Sequence, residues 1–325
     1  MTEAPSPLET AFGLKVDPFL DHPGDAWFYA DPMVMQRIDL LLHLLQFGET
    51  LILVQGPEGS GKSTLLGQLR RRIPPNWRAS VLAGGQIHSD AELVTALGHD
   101  FPDLSQEAGE SFGQALLRHA QALQQQGGLA VVLVDDAHRL EDACLTALLT
   151  LGGDARTTCR QLRLLLLGNP GLEQRLIRLG LHRPQAGSLQ SLEMPRFDEQ
   201  QCAAYLMYRL AVAGYSGESP FSATEIRAFC KRSEGWPGPL NALASEALRD
   251  HAQRRHRGPV GAPAHARPPA RRLPAAAWGA LAITGLAAGG LMWLWQHGNS
   301  PPATGETDLP LPLPAPTTAP PATSV

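Results

Sequence analysis

Nine consecutive residues, GPEGSGKST at 56–64, have the types and spacing to hold a string of phosphates. Gly56, Gly59 and Gly61 allow the backbone to turn tightly, so that successive N–H groups point at phosphate oxygens. Lys62 would reach the β- and γ-phosphates, and the Ser63 hydroxyl would ligate Mg2+. The whole stretch Gly56, Pro57, Glu58, Gly59, Ser60, Gly61, Lys62, Ser63 and Thr64 is therefore the expected nucleotide cradle, with ATP and Mg2+ as ligands. A second constellation lies about 70 residues on, where the apolar run VVLVDDAHRL (131–140) ends in two aspartates. Asp135, at the end of a buried strand, belongs beside Mg2+; Asp136 is placed to orient and deprotonate an attacking water. Asp136 is one methylene shorter than a glutamate, so hydrolysis is expected to be slow, because small misplacements cost rate steeply. His138 reads either as a gate to the site or as a surface histidine. Asn169, after LLLLG, reads either as a γ-phosphate or water contact or as the opening of an NPG turn.

These residues need a scaffold, and hydrophobic periodicity predicts one. MVMQRIDLLLHLLQFG (33–48) has helical spacing and a glycine stop. TLILVQG, RASVLAG (78–84), LAVVLVDD (129–136) and LRLLLLGN (162–169) are short, mostly apolar runs, and helical stretches separate them. Such runs predict a parallel sheet covered on both faces, an α/β fold. From about Pro195 the pattern changes to three helices, at 198–214, 222–235 and 240–255, with no strand candidate among them. The predicted organisation is an irregular lead at 1–32, an α/β nucleotide-binding domain at 33–195 and a helical lid at 196–256. A basic Pro/Ala-rich linker follows at 257–273, then an uncharged stretch at 274–295 and a proline-rich tail at 296–325.

At 1.5 Å per residue the uncharged stretch reaches roughly the thickness of a bilayer core, so a transmembrane helix is expected there; a buried helix is the alternative. Seven arginines at 249–272 precede it, and Trp293 and Trp295 end it. That asymmetry predicts a single-pass protein whose N-terminal part stays in the cytoplasm and touches membrane lipid through one helix. TGLAAG (284–289) reads as a weak helix-pairing face or as plain Ala/Gly enrichment. The 325 residues, 43% of them hydrophobic, allow a real core, and MTEAPSPLET carries no secretory signal. The formal net charge of −4 hides an asymmetry, with Lys and Arg clustered late; the basic segment 249–272 could contact a nucleic-acid phosphate backbone, but its position directly before the uncharged stretch explains the arginines by topology and attraction to anionic lipid instead. Cys144, Cys159, Cys202 and Cys230 have no metal-ligand spacing and read as small buried thiols in a reducing compartment.

FGLKVDPF, the phosphate loop, VVLVDDAHRL, LLGNPGLEQRL, AAYLMYRLAVAG and SEGWPGPLN together resemble the AAA+ ATPases of the ExeA/GspA type, over residues 12 to about 255. Within that group they are similar to the DamX-like, ATPase-bearing proteins of bacterial cell division, here without the SPOR domain. The resemblance implies an AAA+ parallel-sheet sandwich with a helical lid, Lys62 and Ser63 on nucleotide and Mg2+, Asp135 on Mg2+, Asp136 at the catalytic acid position and Asn169 as first sensor. It also implies self-association and cell-division or envelope-assembly partners at the bacterial inner membrane, with the tail in the periplasm. The alternatives are an ExeA/GspA-like ATPase for assembly of a secretion or pilus complex, an ATP-bound scaffold that does not hydrolyse, and a DNA-handling helper. Members of the type usually carry an arginine that touches the γ-phosphate where this chain has Gly238, a second reason to expect slow turnover. Arg183 is a candidate for an arginine reaching a neighbouring subunit, or an ordinary surface residue.

Overall fold

The computed structural model describes residues 7–20, 24–48, 51–151, 162–180 and 189–257. Its centre is a five-stranded, all-parallel sheet of β1 (Leu51–Gln55), β2 (Arg78–Ala83), β3 (Ala130–Asp135), β4 (Leu162–Gly168) and β5 (Leu189–Glu193), in the order β2-β3-β4-β1-β5. β3 and β4 sit inside the sheet and are buried along almost their whole length, which is why they read as unbroken apolar runs. Alternate side chains go to opposite faces. Leu53, Val132, Val134, Leu164 and Leu166 pack with α4 (Asp90–Asp100), α5 (Phe112–Gln125) and α6 (Asp142–Leu151). Ile52, Val54, Val131, Leu133, Leu165 and Leu167 pack with α2 (Pro32–Phe47) and α3 (Lys62–Arg72). α2 begins at the Asp31 cap with proline in its first turn and stops at Gly48. At the lower end of β4 the buried Arg163 donates to the Leu45 carbonyl, 2.9 Å away, and so satisfies part of the α2 C-terminus.

The helical part comprises α8 (Glu199–Val212), α9 (Ala223–Ser233) and α10 (Pro237–Arg257), reached through α7 (Leu172–Arg178) and β5. α8 and α9 each start with a reciprocal capping box, Asp198 with Gln201 and Ser222 with Glu225.

Three expectations differ from the structure. The lead is not simply irregular: it forms α1 (Pro7–Phe12) and a turn at Asp25–Trp27, and Leu8, Phe12, Leu14 and Phe19 join the core of the helical part. β5 was not predicted, because LQSLE is an edge strand with one buried residue and so has no apolar run. The fold class is corrected to an α/β parallel-sheet fold with helical regions and, among the described residues, no transmembrane helix. Among the described residues no helix is long and apolar enough to cross a membrane. A span needs about 20 predominantly apolar residues, and the 21 residues of α10 include Glu246, Arg249, Asp250 and Arg254. The stretch 274–295 on which the expectation rested lies outside the described residues, as do the linker and tail. Membrane anchoring, lipid contact through one helix and an inner-membrane location with a periplasmic tail are not retained.

Candidate functional site

The phosphate loop connects β1 to α3 at the C-terminal edge of the sheet. β1 lies between β4 and β5, whereas its sequence neighbour β2 is at the far edge, so the loop sits where strand order switches and a crevice opens. Gly59 and Gly61 have φ of 74° and 90°, the left-handed region that suits glycine. A Cβ on Gly56 would stand 2.5 Å from the Ser60 hydroxyl and 2.9 Å from the Met194 side chain, so a larger residue there would force both to shift. Lys62 is buried, and its Nζ donates to the carbonyls of Gly56, at 2.8 Å, and Pro57, at 2.9 Å. Burial pushes its pKa down, while Asp136, Asp135 and Glu58 pull it back up. Ser60 is 2% exposed and its hydroxyl has no hydrogen-bond partner. A buried unpartnered hydroxyl, an ammonium resting on loop carbonyls and glycines in left-handed or crowded positions are the features of a cradle for a polyanion. The residues present fit the nucleotide.

Asp135 ends β3 and Asp136 follows it in the left-handed region, φ 47° and ψ 39°. Aspartate tolerates that conformation better than most residues, and the Asp136 N–H donates to the Asp135 carboxylate at 3.0 Å. The turn is braced from several sides. Arg139 Nε lies 3.6 Å from the Asp136 carboxylate and His138 Nδ1 3.9 Å from it. Arg175, on α7, donates to the carbonyls of His138 and Leu140 and to the Asp142 carboxylate. Ser63 and Asp135 line one cavity of about 240 Å³ together with Leu66, Gly67, Arg70 and the end of β2. The two residues expected on Mg2+ thus share a space large enough for hydrated metal. His138 is three-quarters buried and not simply a surface group; its Nδ1 lacks a hydrogen-bond partner, and burial lowers its pKa against the pull of Asp136.

Asn169 stands just beyond β4, between the strands that carry the loop and the aspartates. It is exposed, and its carbonyl accepts from the N–H groups of Gly171 and Leu172, so it also opens the turn. Arg183 lies outside the described residues. Gly84, Met194 and the lid contact carried no sequence signal. A Cβ on Gly84 would fall 2.4 Å from the Asp136 carbonyl, so glycine lets β2 end against the aspartate turn. Above the loop, the Gly238 N–H donates to the Gly59 carbonyl at 2.8 Å, and a Cβ on Gly238 would lie 2.6 Å from Gly59 Cα. The neighbouring Trp236 is buried against the α2/α3 face of the sheet and stacks under Arg196, 4.8 Å from its ring centre.

The sheet order, the phosphate loop and the paired aspartates define the class, a parallel-sheet nucleotide-binding domain, and residues 45–176 match the family described as AAA domain. The domain resembles the GspA/ExeA-type secretion ATPases. Over 240 residues the chain is 27% identical to general secretion pathway protein A of Aeromonas hydrophila, a match covering 73% of this chain but 43% of that protein. Among solved structures it is similar to a Walker-type ATPase of Pyrococcus abyssi, with TM-score 0.50 and 17% identity over 68% of this chain and 69% of that one. The ADP form of the Aeropyrum pernix ORC2 protein gives TM-score 0.51 and 11% identity over 75% and 73% of the two chains. At those identities the two structures share the fold alone. The cell-division reading of the sequence is corrected here: the sequence match is to a secretion-pathway protein and supports the ExeA/GspA alternative.

Proposed function

We propose that the chain is a nucleotide-dependent ATPase of the GspA type that binds ATP with Mg2+ and acts in the assembly of a secretion or pilus complex, turning over slowly. One observation carries the chemistry: the buried ammonium of Lys62 lies at the end of β1 within the electrostatic reach of Asp135 and Asp136 at the end of β3. The similarity to general secretion pathway protein A supports the biological setting, over less than half of that protein's length. In this reading the amides of 56–64 and Lys62 hold the phosphates, with Ser60 offering its hydroxyl. Ser63 and Asp135 hold Mg2+, which when bound would neutralise phosphate charge. Asp136 orients and deprotonates water, and Asn169 positions it. The α/β part at 33–195 is the catalytic body and 196–256 its lid, to which the lead belongs.

The rate is expected to be low for a reason visible in the site. No arginine projects from position 238, and the Asp136 carboxylate is engaged by Arg139 on a short arm. The test is calorimetry with ATP and Mg2+ on the whole chain, paired with phosphate release over a range of protein concentrations. Lys62→Ala should weaken binding at least about tenfold, and Asp136→Asn should leave binding intact while release falls by about a hundredfold or more. Wild-type chain that takes up no ATP would overturn the reading; binding with release no faster than that of D136N would leave a nucleotide-held scaffold in its place.

A further inference from the structure

The lid contains a pair of thiols that nucleotide chemistry leaves unused. Cys202, on α8, is fully buried, and Cys230, on α9, is partly exposed. Their Sγ atoms are 2.7 Å apart, inside ordinary van der Waals contact, and Cys230 Sγ also faces the Phe197 carbonyl at 3.8 Å. Each helix is independently fixed at its start by a capping box, so the facing is set by the packing of α8 on α9. Cys144 lies apart, buried on α6 among the side chains of one sheet face.

We propose that Cys202 and Cys230 are a modification site, a dithiol that a peroxide converts to a disulfide joining α8 to α9. Cys230, the more accessible sulfur, attacks one peroxide oxygen; the O–O bond breaks, leaving a sulfenic acid on Cys230 and releasing water. The Cys202 sulfur then attacks the Cys230 sulfur: the S–S bond forms, the S–O bond breaks, and the departing hydroxide takes the Cys202 proton to leave as a second water. Two thiols lose two electrons, and the peroxide gains them. Burial and the hydrogen bond with Cys230 push the Cys202 thiol up, so it stays protonated until that second step. The bond would fasten the segment that delivers Gly238 to the phosphate loop. The Cys230 carbonyl already accepts from the Gly235 N–H at 3.1 Å, and the Gly235 carbonyl from the Phe197 N–H at 2.9 Å.

The experiment treats the whole chain with graded hydrogen peroxide, blocks remaining thiols by alkylation and maps tryptic peptides without reduction. The expected product is peptide Phe197–Arg209 joined to Ala228–Lys231, lighter by two hydrogens than the sum of the two and separated again by dithiothreitol. Cys230→Ser should abolish it, with an unchanged circular dichroism spectrum showing that the variant folds. Recovery of Cys202 alkylated while Cys230 carries a sulfinic acid, or of Cys230 joined to Cys144 or Cys159, would overturn the assignment. So would two alkylated thiols at peroxide levels that oxidise the chain's methionines.

Discussion

Gly238 stands where the resemblance leads one to expect an arginine, and the backbone explains why none is there. Its N–H is bonded to the Gly59 carbonyl, and a Cβ would be 2.6 Å from Gly59 Cα, a backbone contact that no rotamer relieves. A hydrogen bond to that carbonyl also turns the loop amides the other way, toward the place where phosphates bind. Gly238→Arg is therefore expected to lower ATP affinity about tenfold, near the net worth of one hydrogen bond, and not to raise turnover. Calorimetry and phosphate release on the same variant check both parts; faster release with undiminished affinity would mean that the lid yields and the charge is what the site lacks. The phosphate loop and the aspartate pair could be picked out of the sequence as candidates because such chemistry dictates residue types at fixed local spacing. Gly84 and Gly238 were not, since what makes them glycine is the approach of backbone from another element.

Among elements, the helix starts are written in the chain as capping pairs, and one of them titrates. Glu225 accepts from the Ser222 N–H at 2.8 Å and the Ser222 hydroxyl at 2.7 Å, with His251 Nε2 at 3.0 Å. These bonds, the backbone one first, hold its pKa below the ordinary 4.5. Because the folded value is depressed, the stabilisation is fully present above about pH 4.5 and is lost as pH falls through the folded pKa. The carboxyl is 35% exposed, so solvent screening keeps the gain small, about 0.5 kcal/mol. Glu225→Gln should lower the urea midpoint of unfolding by a constant amount from pH 7 to about 5, the gap from wild type closing below about pH 4. A gap that persists unchanged at about pH 3 would assign the effect to packing instead. The apolar runs foretold β1, β3 and β4 because those strands are covered on both faces. β5 escaped notice because an edge strand with one buried residue leaves no such trace.

Over the folded unit as a whole, the lid is built from both ends of the described chain. Leu8, Phe12, Leu14 and Phe19 of the lead share a core with Leu206, Leu210, Phe229, Leu240 and Leu248. The buried Arg209 donates through Nε to the Pro18 carbonyl at 2.6 Å and stacks on Trp27. Asp31 then joins this assembly to the sheet: one carboxylate oxygen caps α2 by accepting from Met33 N–H at 2.9 Å, and the other accepts from Gln201 of α8 at 2.7 Å. The sequence hid this because a run of scattered aromatics and prolines has no period; its partner surface exists only once α8, α9 and α10 are assembled. Burying four large apolar side chains is worth about 6 to 12 kcal/mol by area, comparable to the stability of a small domain. The three helices lacking them should not hold together. A chain beginning at residue 31 keeps the Asp31 cap, and is expected to lose slow hydrogen exchange throughout α8, α9 and α10 while β1, β3 and β4 stay protected. It should also bind ATP more weakly, because the Gly238 contact with the loop is delivered by those helices. Full protection of α8 to α10 in that shortened chain would mean that the three helices fold as a lid by themselves, with the lead an added layer on their surface.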